Sequence, residues 1–343
     1  MDAIANFLTA NWDRLSLDRF GRPPVSTLVL TPGFRASSNV ILLMFTESKA
    51  QPVLVAKVSR LPGDNSELRS EAENLEKVQS VRQGGFNSIP RLVTLSENDD
   101  HSFLVETMLN GALMSPATVR QRGVACTEAV LDWLTELGVA TTSPSAMHHG
   151  WFERLVAEPT DRLRHALPLS TKEDQLLRRS DEATALLACH DIPLVFEHGD
   201  PSDPNLLTME DGNVGVVDWE LAQASSLPTL DVFFFLTYVA FSQRRAKKPA
   251  EYLAAFNEAF FEPSAWAVPY VMRYAKSVGI AKECLTPLFV LCWVRYLAKL
   301  TRRLNPGKSN SLPSETLDWL RANRYYSLWK HAVERAQELK WNQ

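Results

Sequence analysis

Hydrophobic and polar positions change period along the chain. Residues 26–30 are β-branched and apolar, Thr31-Pro32-Gly33 is turn chemistry, and residues 39–46 and 52–58 are further strand-like runs split by the polar Glu47-Ser48-Lys49. Over 65–81 the apolar positions Leu68, Ala72, Leu75 and Val78 recur at helical spacing, with Asn65 or Ser66 placed to cap the start. Residues 91–95 and 103–106 return to strand period around the polar turn 97–100. The pattern predicts β-β-β-α-β-β.

After Asn110-Gly111 the spacing is mainly helical, with helices expected over 118–140, 172–189, 227–243, 250–261, 265–278, 284–303 and 314–339. Only 193–196 and 214–217 read as strands there. Asp211-Gly212-Asn213 supplies a turn between them, and the hairpin so formed would bring the loop after residue 196 close to Asp218. The change of pattern near residue 107 is the natural domain boundary. No internal repeat or low-complexity segment interrupts it.

The composition, 45% hydrophobic and 22% charged with 14 Gly, 20 Pro and 4 Cys in 343 residues, excludes collagen-like, disordered and disulfide-scaffold chains. The four cysteines form no Cys-x-x-Cys or Cys/His zinc spacing, so a reducing cytoplasm is the expected setting. The first twenty residues lack a basic n-region and a long apolar run, and no signal peptide is expected. The richest apolar stretch, 232–241, is about half the ~20 residues of a membrane span and reads as a buried helix. Neither membrane nor nucleic acid is an expected partner.

Charge is unevenly placed. Residues 221–343 hold 17 Lys+Arg against 9 Asp+Glu, so this part is net +8 and residues 1–220 carry −12 within the overall −4. Most such excesses are solvated helix faces, but an anionic ligand is the sharper reading.

The chemistry concentrates in 195–219, VFEHGDPSDPNLLTMEDGNVGVVDW, where Asp200, Asn205 and Asp218 supply the hard oxygen donors that Mg²⁺ favours. His198-Gly199-Asp200, with Asn205 five residues on and Asp218 thirteen beyond that, resembles the Brenner-type motif of the aminoglycoside phosphotransferase and choline kinase families, relatives of the protein kinases. The resemblance implies an α+β, protein-kinase-like bilobal fold, with a small β-rich N-lobe carrying one main helix and a larger, mostly helical C-lobe. It divides the chain into a nucleotide-binding lobe at 1–106, a hinge at 107–111 and a helical lobe at 112–343. Asp200 is then the catalytic base or acceptor-orienting carboxylate, and Asn205 and Asp218 hold Mg²⁺.

The same resemblance extends upstream. Val53-Leu54-Val55-Ala56-Lys57 is similar to the Val-Ala-Ile-Lys strand whose lysine contacts the nucleotide phosphates. Glu71 best matches its helix partner, with Glu67 and Glu73 as alternatives. Residues 103–111 resemble the hinge, where the carbonyl of Glu106 and the amide of Met108 would read the adenine edge. The phosphate-covering loop falls at 31–39, with one Gly and with Ser37, Ser38 and Arg35 as donors. Pro228-Thr229-Leu230-Asp231 is similar to a Pro-x-x-Asp motif, implying that Asp231 caps a helix or braces the catalytic loop. His198 is expected to brace the same loop.

The implied activity is ATP-dependent transfer of the γ-phosphate to a small-molecule hydroxyl, with Mg²⁺ and with GTP not excluded, by a cytoplasmic monomer or homodimer. Aminoglycosides and choline are cations and want acidic or aromatic walls. The basic balance after residue 220 therefore favours a metabolite or sugar, including one already anionic, over an aminoglycoside or choline/ethanolamine acceptor. A catalytically silent nucleotide-binding protein is the alternative of another class, and the complete set Lys57, Asp200, Asn205 and Asp218 argues against it.

Overall fold

The structure is a computed structural model that describes residues 2–23, 25–30, 39–47, 49–60, 65–97, 102–304 and 312–341. Two compact units divide the chain, Met1–Leu113 with Asn205–Ala222, and Met114–Pro204 with Gln223–Gln343. In the first, helix α1 (Asp2–Ala10) precedes β1 (Val25–Leu30), β2 (Asn39–Thr46), β3 (Leu54–Ser59), α2 (Ser66–Ser80), β4 (Leu92–Ser96), β5 (Phe103–Thr107) and β6 (Gly111–Leu113). The second unit continues with α3 (Pro116–Thr141), β7 (Ser143–Pro144), α4 (Glu158–Ala166), α5 (Thr171–Thr184) and β8 (Pro193–Glu197). The chain returns to the first unit for β9 (Leu206–Met209) and β10 (Val214–Val216). It finishes in the second with β11 (Gln223–Ser226), α6 (Leu230–Arg244), α7 (Pro249–Phe260), α8 (Val268–Val278), α9 (Leu285–Leu304), α10 (Ser314–Ala322) and α11 (Arg324–Glu334).

The sheet of the first unit runs β1-β2-β3-β5-β4, antiparallel throughout. In β3, Lys57 stands opposite Leu104 and Val55 opposite Glu106, so side-chain alternation puts Val55, Lys57, Leu104 and Glu106 on one face. Leu54, Ala56, Phe103 and Val105 point the other way and pack with Ile4, Leu8 and Trp12. The helix carrying the first two, α1, was not expected, although Ile4, Leu8 and Trp12 already carry its spacing. On the lysine face α2 buries Leu68 and Ala72 against Leu104. The same stripe of α2 buries Glu71 and Asn74, two polar positions that must find partners.

The expected hairpin between 193–196 and 214–217 is not the one observed. β10 pairs with β9 across the turn 210–213, where Gly212 takes φ 82° and the Asp211 carboxylate accepts the N–H of Asn213. β8 instead lies between β7 and β11 in the second unit. Leu206-Leu207-Thr208-Met209 is a short strand next to that turn, and a tight turn joins the strands that flank it directly.

The second unit is helical. Ser115 caps α3 by accepting the Thr118 N–H, with Pro116 at the first helical position. Ser170 and Glu173 form a capping box on α5. That helix ends earlier than expected, in a tighter turn at Ala185–Cys189. The run expected over 314–339 breaks at Asn323, whose side chain caps α11 through the Tyr325 N–H. Helix α6 is buried almost all round. The segment Lys282–Leu304 is long and apolar enough to cross a membrane, contrary to the sequence expectation, but 83% of its most apolar stretch is buried as core.

Candidate active site

Within the first unit three segments converge on one ammonium. Lys57 Nζ lies 2.6 Å from Glu71 Oε1 and 2.8 Å from Asp218 Oδ1. Burial alone would strip its proton, but the carboxylates of Asp218 and Glu71 outweigh that and hold its pKa well above the ordinary lysine value. Of the three glutamates considered, Glu71 is the partner, and Glu73 pairs with Lys77 on the exposed side of α2.

Glu71 also accepts the Trp219 N–H at 2.9 Å, while Asn74 donates to the carbonyls of Trp219 and Ala222 at 3.0 and 2.9 Å. The Trp219 indole is fully buried and donates to the Val216 carbonyl. Helix α2 thus holds the Asp218-bearing segment by its backbone, and Lys57 bridges the carboxylates of Glu71 and Asp218. Asp218 takes φ 68°, a left-handed conformation that costs a non-glycine residue of order 1–3 kcal/mol and clusters at functional sites. Its carboxylate is 38% exposed, so part of it faces open space. Asn205 is buried at the foot of the β9–β10 hairpin, and its carbonyl accepts the Val217 N–H at 3.0 Å. The hairpin therefore ties Asn205 to the residue before Asp218.

Glu106 also stands beside Lys57. Its side chain, on the lysine face of β5, is buried, and burial lifts its pKa to about 8 against the opposing pull of Lys57. The Met108 N–H, assigned to the adenine edge from the sequence, donates to the Val53 carbonyl at 3.0 Å and is engaged within the sheet. Residues 31–38, including Arg35, Ser37 and Ser38, lie outside the described residues.

In the second unit Asp200 follows β8. Its carboxylate accepts the Ser202 hydroxyl at 2.9 Å, and its own N–H meets His198 Nδ1 at 3.3 Å. His198 is fully buried and, accepting on Nδ1, serves the loop as a brace. Asp231, in the first turn of α6, accepts the N–H groups of His198 and Gly199 at 2.6 and 2.7 Å. Beneath the loop, Glu197 is buried between Arg295 and Lys299, each 2.8 Å away, and accepts the Ser226 hydroxyl at 2.6 Å. Burial pushes this carboxyl up, but the two cations and the hydrogen bonds overcome it and hold the pKa at about 2.

Asn74 and the pairing of Glu197 with Arg295 and Lys299 were not expected from the sequence. The signal existed for the cluster, because Arg295 and Lys299 fall one helical turn apart in an otherwise apolar run that must be buried.

The profile of the APH phosphotransferase enzyme family matches residues 42–270. The chain belongs to this phosphotransferase family.

Solved structures agree in fold. The choline kinase LicA from Streptococcus pneumoniae matches with a TM-score of 0.58 at 12% identity, over 96% of this chain and 97% of that one. A thermostable form of aminoglycoside phosphotransferase APH(4)-Ia, bound to AMP-PNP and hygromycin B, matches with a TM-score of 0.57 at 12% identity over 95% and 98%. The GDP complex of an aminoglycoside 2'-phosphotransferase-IIIa matches with a TM-score of 0.52 at 16% identity over 96% and 97%. The protein-kinase-like α+β fold expected from the motifs is the fold of this phosphotransferase. No curated protein matches the chain in sequence.

Proposed function

We propose that this phosphotransferase moves the γ-phosphate of ATP to a hydroxyl of a small molecule, with GTP as the alternative donor and Mg²⁺ as cofactor. The observation that carries the reading is the ammonium of Lys57 held between Glu71 and Asp218. An ammonium oriented by two carboxylates, one of them partly open, is prepared to meet the phosphates of a nucleotide. Complexes of similar folds with AMP-PNP and with GDP support a nucleotide donor of either base.

The side chains of Asn205 and Asp218 fit Mg²⁺. An amide oxygen and a carboxylate are the hard donors that this ion takes beside water and phosphate oxygens. Among the described residues no cluster of three or more His, Cys, Asp and Glu offers a competing metal site. When bound, the ion neutralises charge on the triphosphate.

Asp200 is assigned the acceptor. Its carboxylate aligns the hydroxyl for in-line attack and takes the proton late in the reaction. No covalent enzyme intermediate is needed. Asp231 and His198 hold the loop that presents it.

The test is ATP consumption by purified protein against sugars, nucleosides, amino alcohols and aminoglycosides. Asp200→Ala is expected to abolish transfer and to spare nucleotide affinity. Wild-type turnover by Asp200→Ala would remove Asp200 from the chemistry, and Mg²⁺-ATP binding without turnover on any acceptor would favour the silent alternative.

A further inference from the structure

A cavity of about 500 Å³ opens within the second unit beside the catalytic loop, and four of its lining residues are Arg120, Arg245, Lys247 and Arg324. Asp203 is the single carboxylate on its wall. Ser202 lines it too, and the Ser202 hydroxyl is the group that donates to Asp200 at 2.9 Å. The cavity thus begins one hydrogen bond from the carboxylate assigned to the acceptor.

The cations of this cavity differ from others in the same unit. Arg244 is paired with Glu258, Arg273 with Glu128, and Arg164 with Asp181. Among the described residues, none of the four cavity cations has a carboxylate partner. Arg324 donates instead to the hydroxyls of Tyr252 and Tyr325 at 3.2 and 3.5 Å, and its guanidinium lies 5.1 and 5.0 Å from their ring centroids. Arg120 reaches only the Ser242 carbonyl, at 3.4 Å.

The backbone that presents two of them is fixed. Arg245 adopts the left-handed conformation, φ 52° and ψ 36°, at the end of α6, where glycine costs least. The Ala246 N–H returns to the Phe241 carbonyl, and the N–H groups of Lys247 and Lys248 share Glu251 Oε2. This is the ordinary closure of a helix, and it fixes where Arg245 and Lys247 stand beside the cavity.

We propose that the acceptor carries an oxyanion, phosphate or carboxylate, beside the hydroxyl that is phosphorylated, and that Arg120, Arg245, Lys247 and Arg324 receive it. The proposal rests on the phosphotransferase reading and names its substrate class. Four cations that form no ion pair, against Asp203 on the wall and Glu251 beside Lys247, leave the cavity with a positive balance that attracts an anion and repels a cation. Guanidinium groups add bidentate geometry for phosphate and carboxylate oxygens. The size suits a molecule such as a sugar phosphate or a hydroxy acid. Choline and aminoglycosides carry the wrong sign.

Two independent readouts test this. Calorimetric titration of inorganic phosphate into the full chain, with saturating AMP-PNP occupying the nucleotide site, is expected to show binding that weakens at least tenfold in Arg245→Ala/Lys247→Ala. The charge-preserving Arg245→Lys retains most of that binding, and the thermal midpoint of each variant checks its folding. Absence of phosphate binding, or equal binding by the double variant, overturns the proposal. In turnover assays, glucose 6-phosphate or glycerate is expected to be used with at least tenfold higher kcat/KM than glucose or glycerol. Preference for choline, hygromycin B or the neutral alcohols overturns the anionic acceptor while leaving phosphotransfer intact. Failure of every acceptor counts against the phosphotransfer reading, whereas the phosphate titration still judges the cavity.

Discussion

Glu71 and Trp219 are joined by a single hydrogen bond, 2.9 Å from backbone N–H to Oε1, onto the same oxygen that meets Lys57. One carboxylate oxygen therefore sets both the lysine and the segment bearing Asp218. Glu71→Gln keeps the volume and removes the charge that Lys57 needs. Removing one member of a buried ion pair costs about 3–5 kcal/mol, less here because Asp218 remains beside the ammonium. The expected outcome is a loss of about 2 kcal/mol in urea unfolding together with about tenfold weaker nucleotide binding. A nucleotide titration unchanged from wild type would separate this pair from the donor site.

Asp231 connects helix α6 to the loop of Asp200 through two N–H groups. Asn at this position turns one acceptor oxygen into an NH₂ that faces an N–H donor. Asp231→Asn is expected to lower kcat by 10- to 100-fold, because the loop loses its register, with little change in nucleotide affinity. Steady-state kinetics beside a nucleotide titration tests the split between the two effects.

Much of this was legible in the residues. Leu68, Ala72, Leu75 and Val78 predict α2, and Lys57, Asp200, Asn205 and Asp218 stand out because their types and order match one chemistry. What escaped were relationships the linear pattern does not encode. Asn74 and Glu71 lie on the apolar stripe of α2 without announcing that Trp219 and Ala222 would come to them. β9 lies directly before the turn, and the hairpin expected between β8 and β10 forms between β9 and β10 instead. The Met108 amide, placed at the adenine edge by the hinge motif, donates to the carbonyl of Val53 just before β3.

Glu106 makes stability depend on pH. Burial raises its folded pKa to about 8, far above its value in an unfolded chain. Between about pH 4.5 and 8 the folded protein holds a proton that the unfolded chain has released, so stability falls as pH rises through that window, by up to ~1.4 kcal/mol per unit. Glu106→Gln cannot titrate and is expected to flatten that slope. Urea midpoints at pH 5, 6, 7 and 8 measure it, and an unchanged slope would assign the pH dependence elsewhere, Asp231 with its pKa of about 7 being the next candidate.

Asp218 is expected to act through the metal. Asp218→Ala removes a carboxylate that contacts Lys57 and whose backbone is held left-handed. Nucleotide affinity in the presence of Mg²⁺ is expected to fall by one to two orders of magnitude, toward the value that wild type shows in EDTA. A calorimetric titration of ATP with and without Mg²⁺ reads this directly. Equal Mg²⁺ dependence in variant and wild type would take Asp218 out of the metal site.

Glu197 carries the opposite pH signature from Glu106. Its folded pKa of about 2 lies below that of an unfolded glutamate, so its ionic bonds contribute fully above about pH 4.5 and are lost as pH falls through 2. Glu197→Gln leaves Arg295, 5% exposed at its side chain, and Lys299 facing a neutral amide. An uncompensated buried charge costs about 3–5 kcal/mol, so the variant should be strongly destabilised at pH 7. The deficit should shrink toward pH 2, where wild type loses the same charge. Replacing Arg295 with Met in the Glu197→Gln background removes one orphaned cation and is expected to restore part of the stability, since a buried ion pair exchanged for apolar groups is often near neutral. Destabilisation by the second substitution on top of the first would show that Arg295 matters through its packing and its hydrogen bond to Ser226, 2.7 Å away, more than through its charge.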